Sequence, residues 1–209
     1  MDYIISLFQK GGPLMYPLFV LGIVSVAFII ERFYSLSYKK VIPTKEVEAV
    51  LLYLREGRLT EAITTAKVKE SLATNVIANV LEFYMNGRKS REDLELAAEE
   101  VAKVEIPKME NYVNLLGAIA AISPLLGFLG TVTGMIQVFE ALSLEGLTNP
   151  SVLSAGISQA LLTTAFGLTI AIPSLAAYWY FRSKLYSMVA QLENITNDLI
   201  YLLEKGIEK

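Results

Sequence analysis

The chain has 209 residues, 54% of them hydrophobic and only 19% charged, with a mean hydropathy of +0.47. That is more apolar than a soluble domain, where about 45–50% apolar and about 25% charged residues are usual, and it excludes a disordered chain. A net charge of −3, from 18 Lys and Arg against 21 Asp and Glu, offers no basic excess for nucleic acid. The chain has neither Cys nor His, so disulfide scaffolds, thiol nucleophiles, Ser-His triads and zinc-type sites are excluded together. No metal, no cofactor and no enzymatic activity are expected.

In chain order, residues 1–10 form a short segment ahead of an uncharged run over 11–30, long enough for a first membrane span. The run ends in Glu31-Arg32-Phe33-Tyr34, an interfacial belt of charge and aromatics, so a retained span rather than a cleaved signal is expected. Residues 31–110 read as a helical region. Thr44 is expected to cap a helix carrying Val47, Val50, Leu51 and Leu54 and ended by Gly57, and Thr60 to cap a second with Ala62, Ile63 and Ala66. Residues 72–86 form a third, closed by Asn86-Gly87, and Ser90 with Asp93 resembles a capping box. From Arg91 a long helix runs on with Leu94, Ala97, Ala98, Val101 and Val104 as its apolar stripe; Pro107 and Pro124 are expected to kink it. Residues 91–110 hold seven acids against three bases, either a solvated face or a partner-facing or cation-attracting cytoplasmic mouth. Residues 111–139 form a second span, 140–151 a turn and 152–181 a third span. The tail over 182–209 repeats Leu185, Val189, Leu192, Ile195, Leu199 and Leu203 at helical spacing. The fold class is therefore an all-α membrane protein with three transmembrane helices, the second and third extending into the cytoplasm, and a helical cytoplasmic loop.

Orientation follows from the bases. Only Lys10 precedes the first span and none lies between the second and third; the other 17 fall in 31–110 and after 181. Segments rich in Lys and Arg resist translocation. The N-terminus is expected outside, the 31–110 region and the C-terminus inside, and spans two and three form a hairpin.

On helical wheels, Ser123, Gly127, Gly130, Thr131 and Gly134 share one arc of span two. Gly156, Ala160, Thr163, Thr164, Gly167, Ala171 and Ser174 share one arc of span three. Gly127, Gly130, Gly134, Gly156 and Gly167 are read as helix-packing residues, because small residues let backbones approach in lipid. The hydroxyls of Ser123, Thr131, Thr163 and Thr164, with the amide of Gln159, are the candidate lining of an ion path. A single Thr in a membrane helix often does no more than bond its own carbonyl four residues back. Spans two and three contain no ionisable residue. Any titrating group at depth must then come from a partner.

The runs Ala120–Ile136 (AAISPLLGFLGTVTGMI) and Gly156–Pro173 (GISQALLTTAFGLTIAIP) resemble the second and third spans of the MotA/TolQ/ExbB proton-channel family. Gly11-Gly12-Pro13 and Glu31-Arg32 fit its ExbB/TolQ branch. The resemblance covers nearly the whole chain and implies a homopentamer in the bacterial inner membrane. It implies a pore around ExbD- or TolR-like single-span subunits, each carrying an intramembrane Asp, with work passed to the outer membrane through a TonB- or TolA-like protein. The pore threonines of the family carry over onto Thr131 and Thr164. The family often has a Glu where this chain has Gln159, a departure that leaves the coupling ion open between H⁺ and Na⁺. The client, whether TonB-dependent import or a Tol-Pal envelope function, is open too. A MotA-like flagellar or gliding stator subunit, or a passive membrane scaffold or transporter, are the competing readings.

Overall fold

The computed structural model describes residues 8, 10–145 and 150–205. The expected N-terminal segment 1–10 lies almost wholly outside the described residues, as do 146–149 of the expected 140–151 turn and the last four residues of the tail. Among the described residues the chain is helical throughout, with no strand. The elements are α1 (Met15–Ser35), α2 (Tyr38–Val41), α3 (Thr44–Arg55), α4 (Leu59–Val68), α5 (Leu72–Met85), α6 (Arg91–Glu145) and α7 (Pro150–Lys205). Three of them, α1, α6 and α7, are long and apolar enough to cross a membrane. At 1.5 Å per residue, the 55 residues of α6 and 56 of α7 each give about 80 Å of helix, more than twice a hydrocarbon core of about 30 Å.

Two compact units emerge. The first takes in the chain up to Glu31 together with Val113–Tyr180; the second is Arg32–Tyr112 with Phe181–Lys209. In the first, Leu18 of α1, Ile119 of α6 and Ile170 of α7 are buried together, with Leu21, Val24, Phe28, Leu126 and Phe166 packed around them. The apolar faces that turn outward instead, with Phe19, Ile23, Leu125, Phe128, Leu161 and Ile172 exposed, are the surfaces a bilayer or a neighbouring helix covers. Helix α6 continues through Pro107 and Pro124, and α7 through Pro173.

In the second unit, α3, α4 and α5 bury Val47, Val50, Ala62, Ala66, Ile77, Val80 and Leu81. Helices α3 and α5 stop at glycines in the left-handed region, Gly57 (φ +75°) and Gly87 (φ +87°). There Arg58 N–H donates to Tyr53 O and Arg88 N–H to Phe83 O, the six-to-one closure that such a glycine permits. The helix starts differ from expectation. Thr44 is already helical behind Pro43, and Thr60 lies inside α4, whose preceding Arg58 holds Glu56 and Glu61 by its guanidinium. Neither Thr therefore caps. Ser90 does, accepting from Asp93 N–H at 3.1 Å. Ser71, unnoticed in the sequence, forms a reciprocal capping box with Thr74. The apolar stripe of α6 is buried at Leu94, Ala97 and Ala98 but opens at Val104, which is exposed. Along α7, Leu185, Leu192, Leu199 and Leu203 are buried, while Val189 and Ile195 are half-buried.

Candidate ion-path site

Within the first unit, α6 and α7 meet along the small-residue arcs. A methyl placed on Gly127 would lie 3.0 Å from Thr163 O, one on Gly134 3.0 Å from Gly156 O, and one on Gly167 2.5 Å from Ser123 O. On Gly130 it would strike the Thr163 side chain, and on Gly156 the Val138 side chain. At Gly127, Gly134, Gly156 and Gly167 the missing Cβ lets one backbone rest against the other, and at Gly130 it makes room for the Thr163 side chain.

That close approach decides where the hydroxyls go. Thr163 is fully buried against Gly130, and its Oγ1 donates back to the Gln159 and Ala160 carbonyls. Ser123 is equally buried and donates to Ile119 O at 2.7 Å. Thr164 differs: its Oγ1 donates across the helix pair to Gly127 O at 3.0 Å. Thr131 donates to Phe128 O at 2.6 Å from a position where the hydroxyl remains exposed. Gln159 packs its amide against the turn at Gly12, a glycine with φ +71° where a methyl would collide with that amide. The structure thus brings Ser123, Gly127, Gly130, Thr163, Thr164 and Gly167 into one packed seam, with Thr131 at its accessible edge and Gln159 turned toward the start of the chain.

Three features escaped the sequence reading. Ser25 of α1 and Ser174 of α7 are both buried, with their hydroxyls 2.6 Å apart. Ser174 spends its proton on Ile170 O, so Ser25 donates to Ser174. Ser25 is the sole Ser or Thr in residues 11–30, which was the available signal. Asn114 and Gln137 are exposed amides on α6. A shallow recess of about 700 Å³ runs along one face of α7, lined by Leu153, Ser154, Ile157, Ser158, Leu161 and Ala165. Residues 113–139 and 153–177 contain no acidic or basic side chain, and among the described residues no cluster fit to hold a metal ion occurs.

Residues 59–194 match the model of the MotA/TolQ/ExbB proton channel family. The chain belongs to that family. Relatives in the ExbB/TolQ branch agree. The ExbB-like 3 protein of Synechocystis sp. is 31% identical over 197 residues, covering 92% of each chain. The biopolymer transport protein exbB1 of Vibrio cholerae is 28% identical across 98% of this chain and 90% of its own. The Tol-Pal system protein TolQ of Haemophilus influenzae is 42% identical over 74 residues, 35% of this chain and 32% of its own. This member of the MotA/TolQ/ExbB family is a membrane protein of the ExbB/TolQ branch, and the matched range takes in the runs that build the α6–α7 seam.

Proposed function

We propose that the chain is the channel-forming subunit of an ion-driven motor of ExbB/TolQ type in the bacterial inner membrane. It assembles as a homopentamer around ExbD/TolR-like single-span helices, with its N-terminus periplasmic and its C-terminus cytoplasmic. The observation that carries this reading is the seam itself: two helices without a titratable side chain between 113 and 139 or 153 and 177, yet carrying a partly accessible hydroxyl at Thr131 and a hydroxyl held between helices at Thr164.

Such a surface solvates a carboxyl group without competing with it for protons. A partner's Asp beside it is desolvated, which raises its pKa and favours the neutral form during transfer. Thr131 accepts a hydrogen bond from the protonated acid, and Thr164 can turn its hydroxyl from Gly127 O toward the carboxylate. Each charge crossing 100 mV releases about 2.3 kcal/mol, enough for a few ions to bias a packed interface between two arrangements. The work passes to a TonB- or TolA-like protein. The client we favour is import of the TonB-dependent kind, since a relative matched over 98% of this chain is a biopolymer transport protein; a Tol-Pal role is the alternative.

The test is proton flux into vesicles holding the chain with and without its single-span partner. Flux is expected only with the partner, lost in Thr164→Val and kept in Thr164→Ser, with the complex still assembled in each. Full flux without any partner, or in Thr164→Val, overturns the reading.

A further inference from the structure

Two stretches of the second unit, residues 32–45 and 182–192, contain Arg32, Lys39, Lys40, Lys45, Arg182 and Lys184 and no acid at all. Every one of the 21 acids lies elsewhere, so these stretches are basic islands in an acidic chain. The fold joins them. Tyr38 of α2 pairs its hydroxyl with Ser187 of α7 at 2.9 Å, and Lys184 stands 6.0 Å over the Tyr38 ring. Leu36 before the short helix and Val41 and Ile42 at its end are buried, which pins α2 from both sides. Lys39 and Lys40 are left exposed, and among the described residues neither forms an ion pair. The same stretches expose the rings of Tyr34, Tyr38 and Tyr186, the kind of aromatic residue that settles at the level of lipid headgroups.

We propose that Lys39, Lys40 and Lys184, arranged by the Tyr38–Ser187 contact, form a binding site for the phosphate of an anionic phospholipid. A helix pinned at both ends fixes the backbone of Lys39 and Lys40 before the lipid arrives, so only their side chains remain to be ordered on binding. The exposed tyrosines decide for lipid over a soluble anion, because they place the bases where headgroups are concentrated. The inference rests on the membrane reading and not on the ion path.

The experiment titrates the purified full-length oligomer in detergent with phosphatidylglycerol or phosphatidylcholine and reads bound lipid by native mass spectrometry. Phosphatidylglycerol is expected to bind at least tenfold more tightly. At about fivefold per lysine, K39Q/K40Q should weaken it roughly thirtyfold. K39R/K40R should retain it, and K89Q/K103Q, which removes two bases outside the islands, should not change it. Should K39Q/K40Q fail to assemble, K184Q with an expected fivefold loss takes its place. Equal binding of phosphatidylcholine, an unchanged K39Q/K40Q or K184Q, or displacement of the lipid by millimolar inorganic phosphate or a hexaglutamate peptide overturns the proposal. Proton flux measured on the same preparation separates the two readings: flux with the partner but indifference to phosphatidylglycerol sinks this site alone.

Discussion

At Gly156 the α-hydrogen faces the Val138 side chain, and no room is left for a methyl. Gly156→Ala should lower thermal stability by about 1–3 kcal/mol, the usual range for overpacking. Val138→Ala in the same chain should restore part of the loss, because the colliding atom is a side-chain tip while Val138 Cβ stays 3.6 Å away. A melting curve of both variants in detergent checks this; equal losses would show that backbone, not Val138, is the obstacle. The Ser25–Ser174 pair allows a second cycle. Ser174→Ala strands the buried Ser25 hydroxyl and should cost about 1–3 kcal/mol, while the double alanine variant should cost less than the sum of the single ones. The glycines and Thr163 were legible as one face of a helical wheel. Ser25 was not, since its partner lies 149 residues away and a wheel shows only neighbours on the same helix. Nor could spacing separate the buried Thr163 from the accessible Thr131, because both sit on arcs of equal polarity and only the approach of the second backbone tells them apart.

Among the elements, α5 shows how local chemistry starts a helix. Ser71→Ala removes an acceptor for Thr74 N–H and should cost about 1 kcal/mol, seen as faster amide exchange in the first turn of α5 with later turns unchanged. Acid should act on α3 and α4. Glu46 and Glu61 lie in their first turns, and the backbone N–H groups there hold both carboxyls below the ordinary 4.5, with Lys69 and Arg58 adding to the effect. A carboxylate with a depressed folded pKa contributes stability that is complete above its unfolded pKa and is lost as pH falls through the folded one. Amide protection in α3 and α4, taken relative to the intrinsic exchange rate at each pH, should therefore fall below about pH 4.5 and stay level above it. The periodicity and glycine stops made the middle and end of these helices readable. Their starts were misread because Pro43 and Arg58, not Thr44 and Thr60, hold the N-cap positions, and neither supplies a side-chain cap hydrogen bond. Val104 followed the stripe of α6 in sequence and yet lies exposed. Periodicity marks the side of a helix, whereas burial depends on how far the neighbouring helix extends.

For the whole molecule, the uneven placement of charge made three spanning helices legible, since nothing but a bilayer or a protein core tolerates such long uncharged runs. The same map makes the side of the membrane testable. A chain without cysteine needs no background removal, so Lys69→Cys and Ser143→Cys can be probed singly in intact cells. An impermeant maleimide should label Ser143→Cys from outside and reach Lys69→Cys only after lysis; the opposite pattern inverts the proposed orientation. Subunit number left no trace in the wheel or the charge count, because a lipid-facing and a copy-facing apolar surface have the same composition, and native mass of the complex is its measure. One consequence of the glycine seam reaches furthest. With Gly127, Gly134 and Gly167 already at carbonyl contact on the facing helix, and Ser25 latched to Ser174, spans one, two and three have no slack in which to slide. In the proposed motor, a stroke driven by ions would then be taken up against the companion helices, with this polypeptide as the housing of the engine and its partner as the shaft.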